Sequence, residues 1–167
     1  MELYEGGIVL LGISSFFIIV KFGWKKGWRM SMGLLLLEYV LLVLSSTVIF
    51  RATRETACFD YIPFWSYDEI IYGRQDLLVG NFMNVVILIP VGILLGMASS
   101  KMTWLKATKI GCGLSVLIEM SQLVFRRGFS EVDDVIHNTI GCMIGYGVYS
   151  LVRMVYEKLF ERHVSVL

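Results

Sequence analysis

The chain has 167 residues, is 56% hydrophobic and carries a formal net charge of +1, with a mean hydropathy of +0.70. Its charged fraction of 17% falls below the roughly one quarter usual in soluble domains, and the charges cluster between long apolar stretches. These values exclude a nucleic-acid binder working through a basic field, and five apolar stretches are too many for one small soluble core, so a membrane protein is implied.

The first apolar stretch, 6–22, follows Glu2 and Glu5, with no basic n-region and no small-residue cleavage site. It is therefore expected to be a retained span and not a signal peptide. Lys21, Lys25, Lys26 and Arg29 follow, and Trp24 and Trp28 suit interfacial anchoring. The second stretch, 30–50, carries one acid, Glu38, expected to be paired or protonated. A loop at 51–80 holds Arg51 and Arg54, with Trp65 and nearby tyrosines as further anchors. The third stretch, 81–98, opens with Asn81 and Asn84 and contains Pro90. Because Pro90 cannot donate to the Val86 carbonyl, a kink is expected there.

The fourth stretch, 107–125, ends with Glu119 and Gln122 and runs into Arg126 and Arg127. The fifth, 135–152, is entered through Asp133 and Asp134 and carries His137 and Asn138 at its start. Residues 153–167 are expected to form a cytoplasmic tail, frayed from 160 onward. Cys58, Cys112 and Cys142 show no metal-ligand spacing, and no disulfide framework is expected.

A span needs about 20 residues, so the first, third and fifth stretches are somewhat short, implying little tilt or a thin bilayer. Lys21, Lys25, Lys26, Arg29, Lys101, Lys106, Lys109, Arg153, Lys158 and Arg162, ten of the fifteen basic residues, fall on one side of a five-span arrangement. That side reads as cytoplasmic, which gives an all-α, five-span bundle with its N-terminus out and C-terminus in. The chain is read as one transmembrane domain, 1–167. Gly92 with Gly96, and Gly141 with Gly145, have the GxxxG spacing that lets helices approach in lipid, within the chain or in a homo-oligomer.

In this topology the polar residues of the last three spans converge near one face. Glu119, Gln122 and Arg126 lie at i, i+3 and i+7, a single stripe on a helix. Asp134 and Asn138 are four apart and continue through Gly141 and Gly145. At about 1.5 Å per residue Glu119 sits roughly 9 Å below the end of its stretch, deep enough to need a partner. Arg126, Arg127 or an arginine of the loop would serve. The bland alternative is interhelical glue, but glue need not gather at one depth. His137 with Asp133 and Asp134 makes too weak a ligand set for a metal, and no cofactor is expected.

These residues carry a family resemblance. Asn84-Val-Val-Ile-Leu-Ile-Pro90-Val-Gly92, then Glu119-Met-Ser-Gln122 with Arg126 and Arg127, resemble segments of the VanZ-like membrane proteins. Asp133-Asp134-Val-Ile-His-Asn138-Thr-Ile-Gly141 is similar to that family's D-D-hydrophobic-N-T-x-G block. Asp60-Tyr-Ile-Pro63-Phe64, preceded by Arg51 or Arg54, resembles its N-L-I-P-F segment, with Asp60 in place of asparagine. The likeness covers 51–149 with the blocks in order. It implies a multi-pass protein of the bacterial cytoplasmic membrane, and the family's namesake is associated with resistance to the lipoglycopeptide teicoplanin.

Three functions follow for comparison. A non-catalytic binder or shield would use Arg51, Arg54, Asn84, Glu119, Gln122, Arg126, Arg127, Asp133, Asp134 and Asn138 to hold a lipid-linked cell-wall precursor or the lipoglycopeptide, the arginines gripping a phosphate or carboxylate. An enzyme would use Glu119 and Asp134 as an acid–base pair, though the chain offers no paired histidines and no Ser-His-Asp set on one face. A small transporter would need a polar path through the bundle. Membrane lipids are expected partners of all three.

Overall fold

The computed structural model describes residues 28–164. The expected first span, with Glu2, Glu5, Lys21, Trp24, Lys25 and Lys26, lies outside the described residues. The described part is helical. α1 (Trp28–Leu44) continues into a π-helical turn (Ser45–Ile49). A loop then carries β1 (Phe59–Asp60) and the short helix α2 (Trp65–Ile71). α3 (Asp76–Ala98), α4 (Trp104–Phe125), β2 (Ser130–Glu131) and α5 (Val132–Val164) follow. Four of these helices are long and apolar enough to cross a membrane.

The bundle is turned inside out relative to a water-soluble protein. Glu119, Gln122, Asp133, Asp134, His137 and Asn138 are buried, while Leu37, Phe82, Leu105, Leu117, Val124 and Ile144 are exposed. In water the exposed apolar surface would drive aggregation. In lipid it is the natural outer face, and the polar groups must turn inward. A small apolar core of Val43, Leu88, Val91, Leu95, Ile118 and Cys142 fills the centre.

α3 and α5 form the most extensive helix pair, and four glycines explain why. A Cβ at Gly92 would come 2.0 Å from the Cys142 carbonyl oxygen, and one at Gly141 would come 1.9 Å from that of Val85. A Cβ at Gly145 would come 2.0 Å from the Ile89 carbonyl oxygen, and one at Gly96 would strike the Tyr149 ring. Both GxxxG faces are thus occupied within the chain, backbone against backbone. α3 runs through Pro90 as one helix. Tyr39 Oη donates to the Ile87 carbonyl (2.9 Å), next to the carbonyl that Pro90 cannot serve.

Two expectations are corrected. The third stretch is not short: α3 begins five residues earlier than expected, at Asp76, and has 23 residues. Nor is the fifth: α5 has 33 residues and runs through Val164, about 50 Å, longer than the hydrocarbon thickness, so that residues 153–164 are helical. An Arg153–Glu157 pair at i,i+4 (2.7 Å) supports that extension. The loop at 51–80 has order of its own. β1 pairs in parallel with β2, and Thr53 bridges Arg127, so the loop is laced to the connection between α4 and α5.

Arg29 Nη1 donates to Ser100 Oγ (2.8 Å) at the end of the bundle opposite this loop. Lys101 and Lys106 lie at that same end, in and just after the α3–α4 connection.

Candidate functional site

The C-terminal end of α1 and of α4 and the N-terminal end of α3 and of α5 meet under the laced loop. Asp133, fully buried, fixes the loop. Its Oδ1 accepts from the Phe64 amide (2.5 Å), and its Oδ2 from the Ser66 amide (3.2 Å) and hydroxyl (2.6 Å). A carboxylate from α5 thereby caps the first turn of α2, where amides have no helical acceptor. Asn81 Nδ2 donates to Ser66 Oγ (3.0 Å), and Tyr67 Oη bonds His137 Nε2 (2.7 Å). Phe64 has φ 67°, held in the left-handed region by these contacts.

Beneath the loop, Asp134 Oδ1 accepts from Asn84 Nδ2 (2.6 Å). Ser115 Oγ donates to the Asp134 carbonyl (3.4 Å) and accepts from Asn138 Nδ2 (2.9 Å). Glu119 Oε2 accepts from the Glu131 amide (2.9 Å), which ties the middle of α4 to β2. Gln122 Nε2 donates to the Thr47 carbonyl (3.1 Å). That carbonyl is available because the π-helical turn widens the end of α1, where Ser45, Ser46 and Thr47 hydroxyls all donate back to carbonyls of their own helix.

The arginines divide. Arg126 caps α4 in the left-handed region (φ 53°) and donates to the Glu55 carbonyl (3.4 Å). Arg127 Nη1 donates to the carbonyls of Ile49 (3.0 Å) and Arg51 (2.7 Å). Arg54 stacks over the Phe129 ring at 3.7 Å. Arg126 and Arg127, expected to neutralise Glu119, are engaged with backbone oxygens instead. The loop arginine that faces the acids is Arg51. Its guanidinium lies within electrostatic reach of Glu119, Glu131 and Asp134. It crosses Gly128, where a Cβ would come 2.5 Å from its Nε, and Gly128 has φ 77°.

Glu131, at the membrane edge, is pushed up to about 7 by burial first and then by Asp134, Asp60 and Asp133, with Arg51 opposing. Among the described residues the site therefore concentrates carboxylates around one facing guanidinium, that of Arg51. Among the described residues no three acid, thiol or imidazole groups converge as metal ligands would.

All ten residues singled out from the sequence lie at this end, but they do different things. Asn84, Asp134, Ser115 and Asn138 form one polar chain, while Glu119 and Gln122 bond the Glu131 amide and the Thr47 carbonyl. Asp133 serves the loop, and Arg54, Arg126 and Arg127 serve its stem. Sequence reasoning missed Ser66, Tyr67, Ser115 and Glu131. Ser115 was legible as the residue four before Glu119 on the same stripe, whereas Ser66 and Tyr67 sit in a loop with no periodicity to reveal them.

Comparison with known proteins decides the family. The model described as VanZ/LLP1 matches residues 10–153. The chain belongs to the VanZ/LLP1 family. Within it, the chain is 36% identical over 76 residues to Protein VanZ of Enterococcus faecium, covering 43% of this chain and 47% of that one. It is also 32% identical over 94 residues to NAD(P)H-quinone oxidoreductase chain 4, chloroplastic, of Angiopteris evecta, covering 54% of this chain and 19% of that one. The chain thus spans about half the length of the first relative and about a fifth of the second. No solved structure matches at the significance of these relatives. The family match reaches back to residue 10, well before the motif blocks at 51–149.

Proposed function

We propose that this VanZ/LLP1 member is a non-catalytic binding protein of the bacterial cytoplasmic membrane. Its polar end opens toward the outer leaflet, with five spans, the N-terminus outside and the C-terminus inside. There it holds an amphiphile of the cell envelope, a lipid-linked wall precursor or a lipoglycopeptide such as teicoplanin, and so reduces the drug's action. Arg29, Lys101 and Lys106 at the opposite end support that orientation.

The observation that carries the reading is the gathering of buried Glu119, Asp134 and Asn138, with half-buried Asn84 bonded to Asp134, at one end of an otherwise apolar bundle, under a pinned loop. Ionisable groups inside a membrane bundle mark functional sites more often than structural ones. The name of the Enterococcus faecium relative supports the link to glycopeptide resistance. The second reading, acid–base catalysis on a lipid-linked substrate, is favoured by the burial of Glu119 and Asp134 within electrostatic range of one another.

The test is teicoplanin susceptibility of a sensitive Gram-positive host expressing wild type, Glu119→Gln or Asp134→Asn, with vancomycin as control and membrane abundance followed by blot. Resistance in the wild type, lost in equally abundant variants, is expected. Susceptibility unchanged by the wild type would overturn the resistance reading. Turnover of a lipid intermediate by purified protein, lost in Glu119→Gln, would favour the enzyme.

A further inference from the structure

The binding reading leaves the ligand's chemistry open, and the charges around the site narrow it. The residues suited to gripping an anion are taken: Arg127 and Arg126 bond backbone carbonyls, and Arg54 stacks on Phe129. What the polar end holds deepest is carboxylates and amide oxygens. Glu119 is 5% exposed and Asp134 8%, and each has one oxygen bonded to a neutral N–H donor.

Among the described residues three more buried oxygens have no partner, Gln122 Oε1, Asn138 Oδ1 and Ser130 Oγ, on residues only 2–3% exposed, as do the nitrogens Trp65 Nε1 and His137 Nδ1 nearer the loop. Each of the three oxygens stands beside a carboxylate. Gln122 lies one turn beyond Glu119 on the same face of α4, Asn138 one turn beyond Asp134 on α5, and Ser130 directly before Glu131. Two amide oxygens, a hydroxyl and three carboxylates thus gather at this end of the bundle, where among the described residues the exposed Arg51 is the cation that bears on Glu119, Glu131 and Asp134. A buried acceptor without a donor is destabilising, and the carboxylates beside these oxygens favour a donor that carries positive charge.

We propose, on the basis of the binding reading, that the site takes a protonated primary amine borne by a membrane amphiphile. Its three N–H donors meet Glu119, Asp134 and one of the two free amide oxygens, of Gln122 or Asn138, and Arg51 is the resident cation that it displaces. An ammonium has three donors and no acceptor, which is the complement of this set. It also suits the set better than a metal ion, since among the described residues no three acid, thiol or imidazole groups converge as metal ligands would. A quaternary ammonium, lacking N–H, would leave the oxygens unserved.

The experiment uses the full chain in nanodiscs and native mass spectrometry of retained lipid. Phosphatidylethanolamine, phosphatidylcholine and phosphatidylglycerol share a phosphate and differ in primary amine, quaternary amine and no amine. A second arm, in phosphatidylcholine discs, compares teicoplanin with its amine-acetylated form, which separates a headgroup source from a drug source. In at least one arm the primary amine is expected to be retained roughly tenfold better, the scale of one charge-assisted hydrogen bond. That preference should vanish in Glu119→Gln and Asp134→Asn and rise in Arg51→Ala, a gain that misfolding cannot imitate.

Preference for phosphatidylglycerol, lost in Arg127→Ala, would overturn the ammonium assignment and leave the binding reading standing. Retention indifferent to headgroup and to acetylation would overturn both. An amine preference that survives in both carboxamide variants would overturn the assignment to this site.

Discussion

Asn84 Nδ2 and Asp134 Oδ1, 50 residues apart in sequence, meet at 2.6 Å where α3 and α5 enter the bundle. The contact crosses the same helix pair that Gly92, Gly141 and Gly145 bring together. The glycines set the distance between the helices, and the polar pair sets their register. A close backbone approach alone would tolerate sliding by a turn; a directional bond does not.

Replacing Asn84 tests that role. Asn84→Leu leaves a buried carboxylate oxygen without its donor, and the expected loss is about 1–3 kcal/mol. Asn84→Asp should lose more, because it sets a second carboxylate against the first. Thermal unfolding in detergent, followed by fluorescence-detected size exclusion, should rank wild type above Asn84→Leu above Asn84→Asp. Equal melting of the two variants would remove charge from the account.

The glycines separate by position. Gly145→Ala drives a methyl into the Ile89 carbonyl, and Gly141→Ala drives one into that of Val85, so both should force α3 from α5. Gly113→Ala meets nothing within 4 Å and should be neutral or raise stability by up to about 1 kcal/mol through helix propensity. The same melting assay distinguishes them. If all three behave alike, the glycines are not setting the helix distance.

Asp133 should matter to the loop more than to the bundle. Asp133→Ala removes the acceptor of three hydrogen bonds from Phe64 and Ser66. Hydrogen exchange at those two amides, and proteolysis between residues 59 and 72, should accelerate while α3 and α4 keep their protection. Ser66→Ala, which loses the hydroxyl bonds and keeps the amide ones, should give a smaller effect in the same place.

Glu131 makes stability depend on pH. Its folded value, about 7, lies above the ordinary glutamate range. Between the two values the folded protein holds more protons than the unfolded one, so stability falls as pH rises through that window and is greatest below it. The melting temperature should therefore fall from acid toward pH 8. Glu131→Gln, unable to ionise, should flatten part of that slope, and an unchanged slope would assign it to other groups.

The membrane class, four of the spans and the gathering of polar residues at one end were legible because they rest on composition and on helical spacing. Glu119 and Gln122 share a stripe whatever packs against them, and a carboxylate at that depth has to face inward. Span ends were harder to read. Asp76, Arg153, Glu157 and Lys158 look like loop residues on charge alone, yet they continue α3 and α5, since a helix that leaves the hydrocarbon has no reason to stop there. The partner of Glu119 was not legible either. Arg126 has the right spacing on α4, but it becomes the left-handed cap where the helix ends, and its side chain turns to Glu55.

By itself, then, the sequence determined that this chain lives in lipid, which faces of its helices are polar, and that it belongs with the VanZ-like proteins. Those properties depend on hydrophobicity and on the 3.6-residue repeat, which are local. Only the tertiary structure decided that the two glycine pairs face each other, that Asp133 holds the loop while Asp134 faces Asn84, and that Arg51 crosses Gly128 to face the acids. Each of these is a choice among several chemically adequate partners. It is made by which helix ends meet and by the turn conformations that aim the side chains, and neither is written in any one segment.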